Sequence, residues 1–161
     1  MTPRPAYIIL DAYPLGNAAI APARPGTLQI SSQECRQWMQ DCEKRGTEFL
    51  VPAIAYYEVA REMEMRQALR QVTRLQNFCF DPNRYIPLTT EYLIEAAVLW
   101  GEVRRSGAPT ADRHVLDGDV ILAAQVLSLG LSLGQYLVAA GNVQHLIRFG
   151  LPAEEWQNIG H

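Results

Sequence analysis

Four short, β-rich apolar runs punctuate this 161-residue chain, with helix-period segments between them. They are Tyr7-Ile8-Ile9-Leu10, Glu48 to Val51, Tyr85-Ile86-Pro87-Leu88 and Gln135 to Val138. Strands buried on both faces read as nearly continuous apolar runs. Strands that alternate with helical patterns call for crossover connections and hence a parallel sheet. The alternation therefore predicts an α/β fold, a three-layer α/β/α sandwich around a mainly parallel sheet. The length fits one domain over residues 1–161, and no repeat or linker divides it.

The intervening segments carry local signals of their own. The stretch from Pro14 to Gly26 is rich in Pro, Gly and Ala and predicts a loop. Ser31 or Ser32 is placed to cap a helix whose apolar face is Cys35, Trp38, Met39 and Cys42, ended by Gly46. Pro52 suits the opening of a helix running to about Arg74, with Ile54, Tyr57, Met63 and Leu69 inward. Asn77 to Asn83 reads as irregular. Thr89 or Thr90 caps a helix to about Arg105, apolar at Leu93, Ala96, Ala97, Trp100 and Val103. Ser106 to His114 reads as a loop. Asp119 to Leu129 is apolar nearly all round and predicts a central buried helix. Gly141-Asn142 marks a turn, Val143 to Phe149 a short helical piece, and Trp156 and Ile159 a last short strand.

Composition narrows the class of function. Hydrophobic residues are 48% and charged residues 19% of the chain, an ordinary globular balance. No apolar run reaches the ~20 residues of a membrane helix. Met1-Thr2-Pro3-Arg4-Pro5 lacks an apolar leader core, which predicts no signal peptide. Cys35, Cys42 and Cys79 are odd in number and form no Cys-x-x-Cys pair. They predict free buried thiols in a cytoplasmic protein rather than a disulfide framework or zinc site. The net charge of −3 disfavours binding long nucleic acid by electrostatics alone.

Asp11 ends the first apolar run, Glu58 follows the second, and Asp119 opens the buried helix, with Asp117 two residues earlier. In open parallel sheets, ligands bind outside the carboxyl ends of the strands. Asp11 and Glu58 belong on that rim. A helix N-terminus favours negative charge, which would keep Asp119 ionised. Carboxylates are costly to bury unpaired, so acids that converge there predict a cation between them. Oxygen-rich sites suit Mg2+ or Mn2+, and those ions suit phosphodiester chemistry. Singly, each acid also has a plainer reading: a turn residue at Asp11, a partner of Arg61 at Glu58, a helix cap at Asp117 or Asp119.

Four blocks of the sequence together resemble the PIN-domain proteins, specifically VapC-type toxins of toxin–antitoxin pairs. They are Ile9-Leu10-Asp11-Ala12-Tyr13-Pro14-Leu15-Gly16, the run from Pro52 to Arg61, the run Asp117-Gly118-Asp119-Val120-Ile121-Leu122-Ala123-Ala124-Gln125, and the run from Leu137 to Leu146. The resemblance implies a Mg2+- or Mn2+-dependent endoribonuclease that acts on RNA, forms a homodimer and is silenced by a small antitoxin protein. By position, Asp11, Glu58 and Asp119 match the three principal acids, and Asn142 the polar residue of the fourth block. Asp11 and Asp119 would bind metal, and Glu58 would bind a second metal or orient the attacking water. Asp117 is an additional candidate ligand. The fourth block departs from the pattern, with Ala140-Gly141 where Thr or Ser is usual and His145 where many members have aspartate. A catalytically weakened PIN-like module that binds RNA or protein is the alternative.

Other side chains have two readings each. His145 either contacts RNA or moves a proton, or else fixes the fourth block as a partly buried ring. Arg104, Arg105 and Arg113 form either a phosphate-contacting patch or a solvated surface. Tyr56-Tyr57 offers a base-stacking platform, although at least one belongs in the core.

Overall fold

The computed structural model describes residues 4–19, 30–107 and 113–160. Five strands, β1 (Tyr7–Leu10), β2 (Glu48–Pro52), β3 (Tyr85–Ile86), β4 (Tyr136–Ala140) and β5 (Ala153–Glu155), form one sheet in the order β3-β2-β1-β4-β5. Every pairing in it is parallel. The chain starts at the central strand, winds outward through β2 and β3, then returns to build β4 and β5 on the other side. The order reverses between β1 and β4, and such switch points open a crevice at the strands' carboxyl ends.

Alternate residues of each strand face opposite sides, and this sorts the core into layers. Ile8, Leu10, Phe49 and Val51 are buried under α1 (Ala12–Ala19), α2 (Ile30–Lys44), α3 (Ala53–Met65) and α4 (Leu69–Cys79). Ile9, Val138 and Ala140 are buried on the other face with Leu122, Ala123 and Val126 of α6 (Arg113–Leu127) and Leu146 of α7 (Val143–Ile147). A further helix, α5 (Thr90–Arg105), lies against α6, and Ala96 packs with Leu116, Val120 and Ala124. The three-layer α/β/α arrangement expected from the alternation is the one observed. Cys35, Cys42 and Cys79 are buried and free. Burial pushes the Cys35 and Cys79 thiols up to about 12. No helix among the described residues is long and apolar enough to cross a membrane.

Several local expectations need correction. Residues 12–19 are helical, not looped, while residues 20–26 of that expected loop lie outside the described part. Pro14 is tolerated because it is the third residue of α1, where the N–H has no intrahelical acceptor. The long helix after Pro52 is two helices, broken at Gln67, which takes φ 55°. Tyr57 and Leu69, expected inside, are 56% and 66% exposed, and on α5 Leu93 and Ala97 face outward. Residues 77–79 still belong to α4. Trp156 and Ile159 lie beyond β5, with Trp156 opening a short 3-10 turn and its ring 5.7 Å from that of Trp38 in the core.

One buried polar side chain ties the layers together. Gln125 of α6 is fully buried. Its Oε1 accepts from the Ile54 N–H at 3.2 Å, and its Nε2 donates to the carbonyls of Ile86 at 2.8 Å and Pro87 at 3.3 Å. The first bond caps α3 from a distance, where the N-cap Pro52 offers no side-chain acceptor. Gln125→Leu keeps the volume but leaves a buried N–H and a buried carbonyl unpaired. It is expected to cost about 2–4 kcal/mol, read as a lower urea midpoint with an unchanged slope.

Candidate active site

The crevice at the switch point collects the acids. Asp11 directly follows β1, and its N–H donates to the Ala139 carbonyl at 3.0 Å, which fixes it beside the end of β4. Its Oδ1 accepts from the Ala12 N–H at 2.7 Å. Glu58 projects from α3 toward α6. A Cβ at Gly118 would collide with the Glu58 carboxylate, so glycine there is what lets Glu58 lie across α6 beside Asp119. Asp119 is part-buried on α6.

The expected position of Asp119 at a helix N-terminus is wrong. The helix begins at Arg113 and runs through Gly118, which places Asp119 well inside it. Its ionisation accordingly follows burial rather than the dipole. Burial, followed by the charge of Asp11, raises Asp119 to about 6 against the opposing pull of Arg148. Burial and then the charges of Asp11 and Asp119 raise Glu58 to about 7, with Arg61 opposing. Asp11 is also raised by burial, against the Ala12 hydrogen bond and the His145 ring. Burial thus raises all three carboxyls, the Asp11 charge adds to the rise of Glu58 and Asp119, and the Asp119 charge adds to that of Glu58.

The fourth block supplies the polar side of the crevice. His145 Nδ1 lies 3.1 Å from Asp119 Oδ2, and Arg148 Nη2 lies 3.5 Å from the same oxygen. Asn142 Nδ2 lies 3.0 Å from His145 Nε2. Burial, then Arg148, lowers the His145 pKa against the pull of Asp11. A neutral ring with its proton on Nδ1 lets Nε2 accept from the Asn142 amide and leaves Nδ1 near Asp119 Oδ2 without an aligned hydrogen bond. Asn142 therefore reaches the acids through His145. Arg148 was not foreseen from sequence. Its only signal is its place one helical turn after His145.

Asp117 stands apart. It is exposed and lines a shallow cleft between α5 and α6 with Leu93, Trp100 and Ile121. The Arg104 guanidinium sits over the Trp100 ring, Arg105 reaches back to Gly101, and the side chain of Arg113 lies outside the described residues. Tyr56 packs on Phe80, while Tyr57 is exposed under the Arg61 guanidinium.

The fit to a cation rests on charge. Among the described residues, no three His, Cys, Asp or Glu side chains form a ready ligand group. Yet Asp119 Oδ2 is buried without an aligned hydrogen-bond donor. The nearby His145 and Arg148 nitrogens approach it by charge and distance without completing a hydrogen bond. A buried carboxylate oxygen of that kind, facing two further raised acids, matches the hard oxygen donors that Mg2+ and Mn2+ take.

Solved structures share this architecture. A chain of the VapBC2 complex from Rickettsia felis, bound to a DNA fragment from its promoter, superposes with a TM-score of 0.64 over 93% of this chain and 98% of its own, at 11% identity. A chain of FitAcB from Neisseria gonorrhoeae gives 0.61 over 94% and 99%, at 14% identity. A chain of DNA-bound VapBC from Salmonella typhimurium gives 0.62 over 93% and 98%, at 15% identity. The fold is PIN-like. No protein-family model and no curated protein matches the sequence. The four blocks that resemble VapC-type toxins thus sit in a fold shared with chains of VapBC complexes, and three of their acids, Asp11, Glu58 and Asp119, meet at the crevice of that PIN-like sheet.

Proposed function

We propose that this chain is a Mg2+- or Mn2+-dependent endoribonuclease, the toxin of a toxin–antitoxin pair. The observation that carries the reading is the meeting of Asp11, Glu58 and Asp119 at the switch point of a PIN-like sheet, each with its proton affinity raised. Asp11 and Asp119 would hold the ion. A divalent ion bound there would stabilise charge on the phosphate oxygens and acidify a water. Glu58, raised by burial and by the neighbouring acids, is placed to accept a proton from the attacking water, or to hold a second ion. Asn142 orients His145, and Arg148 offers a guanidinium to a phosphate oxygen at the same edge.

The partners follow from the same reading. RNA is the substrate class and the cytoplasm the place of action. A small antitoxin protein would cover the crevice, in keeping with the VapBC and FitAcB complexes whose chains share the fold. Leu93, Ile94 and Val98 leave an apolar strip exposed on α5, which suits a homodimer. The alternative, a PIN-like module that binds RNA or protein without cutting, draws on one observation: His145 and Arg148 already lie against Asp119.

Purified chain, freed of any bound partner, is expected to cut single-stranded RNA with Mg2+ or Mn2+ and to stop when the ion is chelated. Expression of the wild type should arrest a bacterial host, and expression of Asp11→Asn should not. RNA left intact with both ions, together with equal growth of the two strains, would replace the enzyme by the binding module.

A further inference from the structure

A groove runs from the acid crevice along the surface between α1 and α3, and of its lining the proposed mechanism uses Glu58 alone. Its cavity is about 450 Å3, within the range of pockets that hold a small ligand. Glu58 lines its inner end, so groove and crevice are continuous. Tyr13 and Asn17 line one wall, spaced four residues apart and thus on one face of α1. Glu58, Glu62 and Arg66 repeat at the same spacing along the opposite wall. Val59 and Met63 supply apolar lining.

Four details suit a planar, neutral, partly polar group. Tyr13 is 54% exposed, an aromatic ring left in solvent beside the acids. Its ring is seated by Gly141, where a Cβ would come within 3.0 Å of Tyr13 Cβ and Cγ. The fourth block thus gives up a side chain to position this ring. Tyr13 also borders a second cavity of about 310 Å3, with Ala140, Glu155 and Gln157, so the ring stands between two hollows. Finally, Asn17 Nδ2 is buried with no hydrogen-bond partner among the described residues. An unpaired buried donor costs folding stability, and here it belongs to a residue that lines the groove. The two carboxylates of the opposite wall disfavour a phosphate at the inner end. Arg66, about 12 Å farther along the helix axis, is placed to meet one.

Resting on the ribonuclease reading, we infer that this groove is a nucleotide subsite, in which Tyr13 stacks the base next to the scissile phosphate and Asn17 donates to an acceptor on that base's edge. Stacking on an aromatic ring tolerates any base, whereas an amide donor selects for an acceptor. The subsite therefore combines general strand binding with a preference at one position.

The test uses short single-stranded RNAs with one 2-aminopurine moved along the sequence, in an Asp119→Asn background that keeps the RNA whole. Quenching is expected at one position beside the cleavage site. Tyr13→Ala should abolish that quench and weaken binding on the order of tenfold, and Tyr13→Trp should keep both. With the active chain, Tyr13→Ala should raise KM with kcat little changed. Asn17→Leu should leave Tm equal or higher, because it removes the unpaired donor, yet lose the base preference. Unchanged quench and KM in Tyr13→Ala overturn the inference. So does a loss that Tyr13→Trp fails to rescue, or a lower Tm in Asn17→Leu. A groove substitution that releases only a basic peptide and leaves RNA binding intact assigns the groove to a protein partner instead. If the wild type cuts RNA and Tyr13→Ala matches it, only the subsite falls. If the wild type neither binds nor cuts RNA, the ribonuclease reading falls and takes the subsite with it.

Discussion

Asp119→Asn is expected to lower RNA cleavage on the order of 10²–10⁴-fold while leaving the fold intact. The substitution keeps the shape of the side chain and its 3.1 Å approach to the His145 ring. What it removes is the charge on the one buried oxygen of the cluster that lacks an aligned donor. Binding of Mn2+ to the isolated protein, followed by calorimetry, should weaken in step, because a neutral amide is a poorer partner for a hard cation. Asp11→Asn should behave alike. Cleavage within threefold of wild type in both variants would remove the acids from the chemistry, and with them the case for an ion at the switch point.

Glu58→Gln is expected to separate activity from stability in opposite directions. In the folded protein Glu58 takes up its proton at about 7, against 4.5 for the unperturbed group. Between those values the folded state holds a proton that the unfolded chain has released. Stability contributed by this group is therefore highest at low pH, falls as pH rises through that window, and stays low above it. Asp119 adds the same sign between 3.8 and about 6. Glutamine carries no charge to repel Asp11 and Asp119. At pH 8 without metal, the variant should be more stable than wild type by about 1–2 kcal/mol, a figure reduced for solvent screening of a part-exposed group, or roughly 2–6 °C in Tm. At pH 4 the two should coincide. Added Mg2+ should narrow the gap, since an ion relieves the same repulsion in the wild type. Activity of the variant should fall at neutral pH with the loss of the proton acceptor. A variant less stable than wild type at pH 8 would show that Glu58 is held by favourable contacts and is no repelled member of an acid cluster.

The elements legible in the sequence were those whose pattern matches one local period. The four apolar runs became β1 to β4, and for β1, β2 and β4 burial on both sides of the sheet leaves little choice of residue, while at the edge β3 keeps only Tyr85–Ile86 of its predicted run. Thr89 caps α5 as its residue type requires, its side chain accepting from the Tyr92 N–H. Where local signals misled, a distant contact had overruled them. Pro14 and Gly16 looked like loop punctuation, yet Pro14 falls where its missing N–H costs nothing and Gly16 lies against Val59 of α3. Asp117 and Asp119 looked like the cap and the opening of a helix. Gly118 is instead a helical residue kept small so that Glu58 can reach across it. Gln67 carries no breaker signal, but the separation of α3 from α4 turns on its left-handed backbone.

Residue type and order alone determined that this chain forms a parallel α/β sheet and that Asp11 and Glu58 emerge on its carboxyl rim, because side-chain period and strand ends are local properties. The tertiary structure decided which groups meet. It placed Asp119 inside a helix, sent Asp117 to another face, brought Arg148 to the acids, and opened the Tyr13–Asn17 groove beside them. Proton affinities of about 6 and 7 arise only there, since desolvation and like-charge repulsion act through space between segments that the chain keeps far apart.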